Sequence, residues 1–262
     1  MLIERIWTGN AYRNFHYLVA CPETGEALAI DPLEWRLCLD AAERKGWRIT
    51  QILNTHEHRD HTGGNAGLVE ATGAKVLAHA LAAARIGGVD RGLAAGDLIR
   101  IGRLELECLD TPGHTLAHVC LLVHGERPAL FSGDTLFNAG AGNCHNGGDP
   151  GRLYETFSRL LARLPDATRV FPGHEYLVRN LEFTLDCEPD NAAAQELLRR
   201  VRGAEPADAP VTTLADERAI NTFLRLESAT VIERLREVFP ALDAQPDART
   251  VFLRLRELRN RW

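Results

Sequence analysis

The chain of 262 residues carries 36 acidic against 30 basic side chains, a formal charge of −6, with 45% hydrophobic and 25% charged residues. These globular proportions exclude a disordered, collagen-like or disulfide-stapled chain and leave room for one large domain or two. Mild acidity speaks against nucleic acid as a partner, because phosphate binders carry a basic excess. The cysteines at 21, 38, 108, 120, 144 and 187 are scattered without a CxxC pair and read as buried thiols. MLIERIW puts Glu4 and Arg5 where a signal peptide needs an apolar core, and no run approaches the ~20 apolar residues of a membrane span. The expectation is a cytoplasmic protein with no membrane partner.

In chain order, apolar runs at 16–20 and 27–30 flank a Pro22–Gly25 turn and read as strands. Helix spacing covers 34–45, and 48–54 reads as a buried strand. An irregular polar stretch, THEHRDHTGGN, comes next, followed by a helix over 65–72 and a strand at 75–78. Alternation on both sides of Ile101-Gly102-Arg103 predicts a hairpin of 97–100 with 104–109. Strands are expected at 118–123, 129–132 and 168–171, with a helix at 152–163. This mixture implies a layered α/β architecture. Beyond 175 the strand signals stop, and helical patterns cover 191–202, 214–227, 229–238 and 247–262, with Thr213 and Asp216 as an N-cap pair. The change of pattern predicts two domains, 1–174 and 175–262.

Residues 55–61, Thr55-His56-Glu57-His58-Arg59-Asp60-His61, cannot present their imidazoles on one helix face, since i and i+2 point apart there. On an irregular loop leaving a buried strand, alternate side chains converge on one centre, and imidazole with carboxylate suits zinc, iron or manganese. Three further candidates each follow an expected strand: His114 in TPGHT, Asp134 in SGDT and His174 in FPGH. Small or rigid residues before each let the chain turn sharply at the strand end. Seven ligands exceed what one tetrahedral metal uses, so the count implies two metals sharing a carboxylate. In the tail, Arg256 and Arg259 are three apart and share a helix face. A solvated basic helix end and a bidentate clamp for carboxylates both fit that pattern.

THEHRDH, TPGHT, SGDTLF and FPGHEY, in that order, resemble the metallo-β-lactamase superfamily and, within it, glyoxalase II, the hydroxyacylglutathione hydrolases. The resemblance spans almost the whole chain, including AIDP at 29–32 and the helical tail. It implies an αββα sandwich with the site at one edge and a C-terminal all-helical, substrate-binding domain. It further implies that His56, His58 and His114 hold one metal, that Asp60, His61 and His174 hold the other, and that Asp134 bridges them. Asp60 and Asp134 are thereby catalytic as well as ligating. Because β-lactamases carry cysteine where Asp134 stands, antibiotic hydrolysis is disfavoured. By the same resemblance Arg256, Arg259 and Tyr176 contact glutathione, and Asn221-Thr222-Phe223-Leu224-Arg225 departs from the family's segment by Thr222 in place of proline. Where members carry a basic residue and then an aromatic, Ala139-Gly140-Ala141-Gly142 leads here to Asn143 and His145. Asn143 donates without charge, and His145 is either a peptide contact or a loop residue.

The resulting expectation is a hydrolase with two divalent metals, zinc foremost and iron or manganese as alternatives. It cleaves S-D-lactoylglutathione to D-lactate and glutathione by attack of a metal-bridging hydroxide, since water between two cations ionises near pH 7. An iron-dependent glutathione persulfide dioxygenase and a hydrolase of another acyl-thiol are the alternatives, with a non-enzymatic metal-binding protein as a third.

Overall fold

The structure, a computed structural model, describes residues 1–262. The first half contains β1 (Leu2–Trp7), β2 (Phe15–Ala20), β3 (Glu26–Ile30), α1 (Trp35–Lys45), β4 (Arg48–Asn54), the single-turn α2 (Arg59–Thr62) and α3 (Asn65–Thr72). It continues through β5 (Lys75–His79), α4 (Ala83–Ile86), β6 (Arg91–Leu93), β7 (Leu98–Ile101), β8 (Leu104–Asp110) and β9 (Val119–Val123). Next come β10 (Ala129–Gly133), β11 (Leu136–Phe137), β12 (Gly140–Ala141), α5 (Pro150–Arg159) and β13 (Arg169–Pro172). The chain ends in α6 (Leu177–Cys187), α7 (Ala192–Val201), α8 (Leu214–Ile220), α9 (Ala229–Val238) and α10 (Ala248–Arg261).

Strands β1 to β6 form one sheet in sequential order, and β13-β10-β9-β8-β7 form the second. Side chains alternate across a strand, so each strand of these stacked sheets feeds two cores. Phe15, Tyr17 and Val19 of β2 point between the sheets and meet Val119, Leu121, Phe131 and Phe171 of the second sheet. Leu18 and Ala20, on the other face of β2, pack with Cys38, Ala41, Ala42 and Leu68 of α1 and α3. Cys120 and Leu122, from the back of β9, pack with Leu153 and Phe157 of α5 and with Phe252 and Leu255 of α10. The result is an αββα sandwich with a C-terminal helical region. Burial on both faces explains why β9 and β10 read as continuous apolar runs.

Besides the short α4, β6, β11 and β12, which carry no sequence signal, three elements differ from the sequence expectation. β1 was not anticipated: it is an edge strand, its residues half-buried or exposed, and Glu4 and Arg5 mask its alternation. α6 also escaped, because its buried stripe includes Asn180 and Thr184 among Leu177, Leu181, Phe183 and Cys187. The single helix expected over 214–227 stops at Ile220; Asn221 turns extended, caps the amide of Phe223 with its side chain, and a short 3-10 turn follows. The expected cap at Thr213 and Asp216 forms a full capping box.

Part of the helical region packs in a cluster of its own around Leu181 and Leu198, and the rest shares a core with the second sheet. Phe252, fully buried, has its ring centroid 5.3 Å from those of both Phe157 and Phe223 and 5.6 Å from that of Tyr154. Phe252→Ala therefore leaves a void between sheet and tail and should cost about 3–5 kcal/mol, read as a lower urea midpoint. A loss below about 1 kcal/mol would contradict a shared core.

Candidate metal centre

The cluster forms where strands end. Chain leaving β4 passes through Thr55 and His56 before α2 begins at Arg59, which turns His58, Asp60 and His61 back toward the strand ends. Asp31, just beyond β3, adopts a left-handed φ of 51° and points inward, where it accepts the amide and hydroxyl of Thr55 at 2.8 and 2.7 Å. Gly133 turns β10 into Asp134 with φ 47°, and a Cβ there would stand 2.7 Å from both His118 Nε2 and Thr55 Oγ1. Gly173 lets the end of β13 pass Asp134, for a Cβ there would lie 2.5 Å from Asp134 Oδ1. Glycine at both positions is thus a steric requirement of the site.

All seven expected donors converge. The His56, His58 and His114 donor atoms lie within 4.8 Å of one another, as do those of Asp60, His61 and His174, and those of His56, His61 and Asp134. His58 Nδ1 is 3.0 Å from His56 Nε2 and 3.1 Å from His114 Nε2, while His61 Nε2 is 3.2 Å from His174 Nε2. Asp134 Oδ2 reaches toward both groups, 3.5 Å from His114 Nε2 and 3.2 Å from His174 Nε2. Burial opposes charge on Asp134, yet His174 and His61 outweigh it and hold the carboxyl well below its usual range. Burial also drives His56 and His114 down, leaving them neutral and able to offer lone pairs.

Each ring is held from behind. His61 Nδ1 meets Asp31 Oδ2 at 2.9 Å, His114 Nδ1 meets the Asn143 carbonyl at 2.6 Å, and His174 Nδ1 meets the Tyr12 carbonyl at 2.8 Å. His56 Nδ1 meets Thr55 Oγ1, and His58 Nε2 the Asn146 carbonyl, both at 3.0 Å. An outward ring nitrogen held by an oxygen fixes each imidazole so that its other nitrogen faces the cluster, the arrangement found behind histidines that ligate metals. Asp134 Oδ1 is buried without a hydrogen-bond partner. Inward-facing ring nitrogens, an orphaned carboxylate oxygen and a mixed imidazole–carboxylate set fit a divalent cation.

Two contributors were not assigned from the sequence. Asp31 appeared there only within AIDP, and a buried aspartate at a strand end is the signal that marks it. His118 lies at the start of the strand expected over 118–123, where one histidine carries no signal of a role. Its Nε2 accepts the Asp134 amide at 3.1 Å while Thr111 and Thr135 hydroxyls face its Nδ1, so it fixes the turn that presents Asp134. Glu57, next to the ligand positions, is occupied by Arg85 and Thr115.

The five substrate-contact candidates, Asn143, His145, Tyr176, Arg256 and Arg259, all line one pocket of about 300 Å³. The Tyr176 ring stacks on His174 with centroids 5.1 Å apart, joining pocket and cluster. Asn143 and His145 are exposed, and the Asn143 side-chain oxygen accepts the His145 amide at 3.1 Å. Arg259 is partly buried over the rings of Phe183 and Trp262. Arg256 is only 4% exposed; its Nη1 donates to the Ala141 and Gly142 carbonyls at 2.8 and 3.1 Å and its Nε to Asn260. The two arginines share a face as expected, but Arg256 also holds the loop that precedes Asn143.

That loop is gripped from several sides. Ala139 has a left-handed φ of 55°, and its amide donates to Glu217 Oε2 at 2.8 Å. Asn221 donates to the Gly140 carbonyl and Asn180 to that of Asn138. Glu217 also accepts from Thr212 and Asn221, with no cation against it. Burial raises this carboxyl from 4.5 to about 7 against the pull of those donors. The folded chain thus holds the proton more tightly than the unfolded one. This contribution to stability is complete below pH 4.5 and is lost as pH rises through about 7. Relative to the parent, Glu217→Gln should gain about 2 kcal/mol between pH 5 and 8 in urea unfolding. A difference that stays constant over that range would rule out the raised carboxyl.

A family model of the metallo-beta-lactamase superfamily matches residues 21–174, and one of the hydroxyacylglutathione hydrolase C-terminus matches 175–262. The hydroxyacylglutathione hydrolase of Polaromonas sp. is 67% identical over all of both chains. Among solved structures, ETHE1 from Myxococcus xanthus superposes with a TM-score of 0.70 at 25% identity, over 99% of this chain and 92% of that one. TTHA1623, solved in a di-iron-bound form, superposes at 0.60 with 28% identity, over 86% of this chain and 100% of its own. A divalent-metal site in this sandwich, followed by that helical tail, makes the chain a member of the metallo-β-lactamase superfamily and, within it, of the hydroxyacylglutathione hydrolases.

Proposed function

We propose that the chain is a metal-dependent thioester hydrolase that cleaves S-D-lactoylglutathione and related 2-hydroxyacyl-glutathione thioesters to the hydroxy acid and glutathione. The observation that carries this reading is the cationic pocket joined to the histidine–aspartate cluster through the Tyr176–His174 stack. The name of the Polaromonas relative supports the same activity. His56, His58 and His114 would hold one ion, Asp60, His61 and His174 a second, with Asp134 shared between them. Zinc is the first candidate, with iron or manganese as alternatives that the same donors accept; the di-iron form of TTHA1623 supports a pair of ions. When bound, such ions supply Lewis acidity and bring the ionisation of water close to neutral pH.

The protein groups divide the remaining work. Arg259 meets the carboxylate of the thiol portion, while Arg256 holds the carbonyls of Ala141 and Gly142 and so shapes the pocket wall. Asn143 offers its amide N–H groups to the peptide, and its backbone carbonyl orients His114. The exposed imidazole of His145 closes the pocket rim beside them. Burial keeps the Tyr176 hydroxyl protonated, and it donates to the Tyr12 carbonyl at 3.2 Å, the same oxygen that meets His174 Nδ1. Of the two carboxylates given a catalytic role, Asp60 is the more open, with 21% of its side chain exposed against 9% for Asp134. Asp60 therefore faces incoming substrate and water, while Asp134 binds the two halves of the cluster.

With metal restored, turnover of lactoylglutathione should exceed that of lactoyl-coenzyme A by at least about tenfold in kcat/KM. Equal rates would move the assignment to another acyl-thiol. Oxygen uptake on glutathione persulfide with a single iron per chain would move it to a dioxygenase. Asp31→Ala, which frees His61 Nδ1, should weaken metal retention about 10–100-fold in competition with a chelator. Undiminished retention would show that Asp31 does not set the orientation of His61.

A further inference from the structure

The pocket beside the cluster holds three guanidiniums, of Arg179, Arg256 and Arg259, and no carboxylate. They differ in what they have left to offer. Arg256 is committed to the Ala141 and Gly142 carbonyls and to Asn260. Arg259 donates to Asn180 Oδ1 at 3.3 Å and lies across two aromatic rings. Arg179 is exposed and makes neither a hydrogen bond nor an ion pair within the chain.

Its freedom is not for want of acids. Glu182, three residues on along α6, is near enough to pair with it, and Glu175, just before the helix, borders the same cavity as Arg179. Both are taken: Glu175 pairs with Arg13 and accepts the Leu177 amide, and Glu182 pairs with Arg202 at 3.0 Å. Arg179 also occupies the first turn of α6, which has no acidic residue and whose dipole disfavours a cation. Arg259 lies close enough that the charge of Arg179 helps depress its basicity, after burial. The fold thus keeps a cation unneutralised where both the helix end and a second cation oppose it. Arg179 and Tyr176 also border a neighbouring cavity of about 640 Å³ shared with Arg13, Trp262 and the already paired Glu175 and Glu182, so the two hollows meet at Arg179.

We propose that Arg179 is a specificity-determining residue of the thiol-binding pocket: it receives a second carboxylate of the substrate, so the preferred thioester is one whose thiol portion is a dicarboxylate. This rests on the thioester-hydrolase reading above. Glutathione has that chemistry, with one carboxylate at each end of the tripeptide. Arg259 takes one, and Arg179, across the pocket on α6, takes the other.

The test compares lactoylglutathione with its dimethyl ester, in which both carboxylates are masked, on metal-loaded parent and variants. Arg179→Ala should raise KM for the free acid about tenfold and leave kcat within about twofold, because the contact lies away from the reacting carbon. On the dimethyl ester the same change should alter KM by less than about twofold, and Arg179→Lys should recover much of the loss on the free acid. An equal penalty on both substrates would mark a structural role and overturn the proposal. An unchanged KM for the free acid, with the parent active on it, would overturn the proposal alone. A metal-loaded parent inert toward lactoylglutathione would remove the hydrolase reading and this proposal with it.

Discussion

Bringing five imidazoles and two carboxylates within a few ångströms of one another is unfavourable unless every ring is held in a fixed orientation with one nitrogen turned inward. The outward hydrogen bonds from Asp31, Thr55, Asn146, Asn143 and Tyr12 impose that orientation. Three of the five acceptors are backbone carbonyls, so the tautomer of a ring depends on where the main chain runs. The positive-φ turns at Asp31 and Ala139 are costly local conformations for residues with a side chain, and each is offset by a group it aims at the cluster or at the loop behind it. Much of the sandwich can be understood as the frame that holds those carbonyls and turns still.

The same dependence reaches into the helical tail. Glu217 and Asn221 from α8 and its end, Asn180 from α6 and Arg256 from α10 all grip the backbone between Asn138 and Gly142. One residue further, the Asn143 carbonyl holds His114. A path of hydrogen bonds therefore connects three helices to a histidine of the cluster. The apolar side of those helices lies in the core of the second sheet, with Phe252 against Phe157. Tail and sandwich are two stretches of sequence but one packed body on this side.

Most of this was legible in the residues. The strand–turn–donor pattern repeats at His56, His114, Asp134 and His174, and small residues before a polar one at a strand end mark a sharp turn wherever they occur. The seven donors could be named because their types and spacing are chemical. Asp31 and His118 were less visible, since one buried aspartate or histidine looks like many others until its partner is known. β1 and α6 were hidden for a related reason: charges on an edge strand, and buried Asn180 and Thr184 on a helix, break the apolar rhythm that periodicity depends on. The role of Arg256 divides in the same way. Spacing puts it beside Arg259, but only the fold reveals that it faces the loop carbonyls.

The hydrogen bond between His174 and the Tyr12 carbonyl joins residues 162 positions apart. His174 also follows β13, whose only sheet neighbour is the parallel β10. Pairings of that separation carry a large loop-closure entropy and come late when a chain folds. The first four donors lie within six positions, so they can gather early, but the second half of the cluster waits for the sheets to close. Ions that need both halves bind the finished molecule far better than any partly folded one. They therefore draw the folding equilibrium toward the native state in proportion to their free concentration. A divalent ion held by donors from both halves would thus be coupled to the folding of this chain.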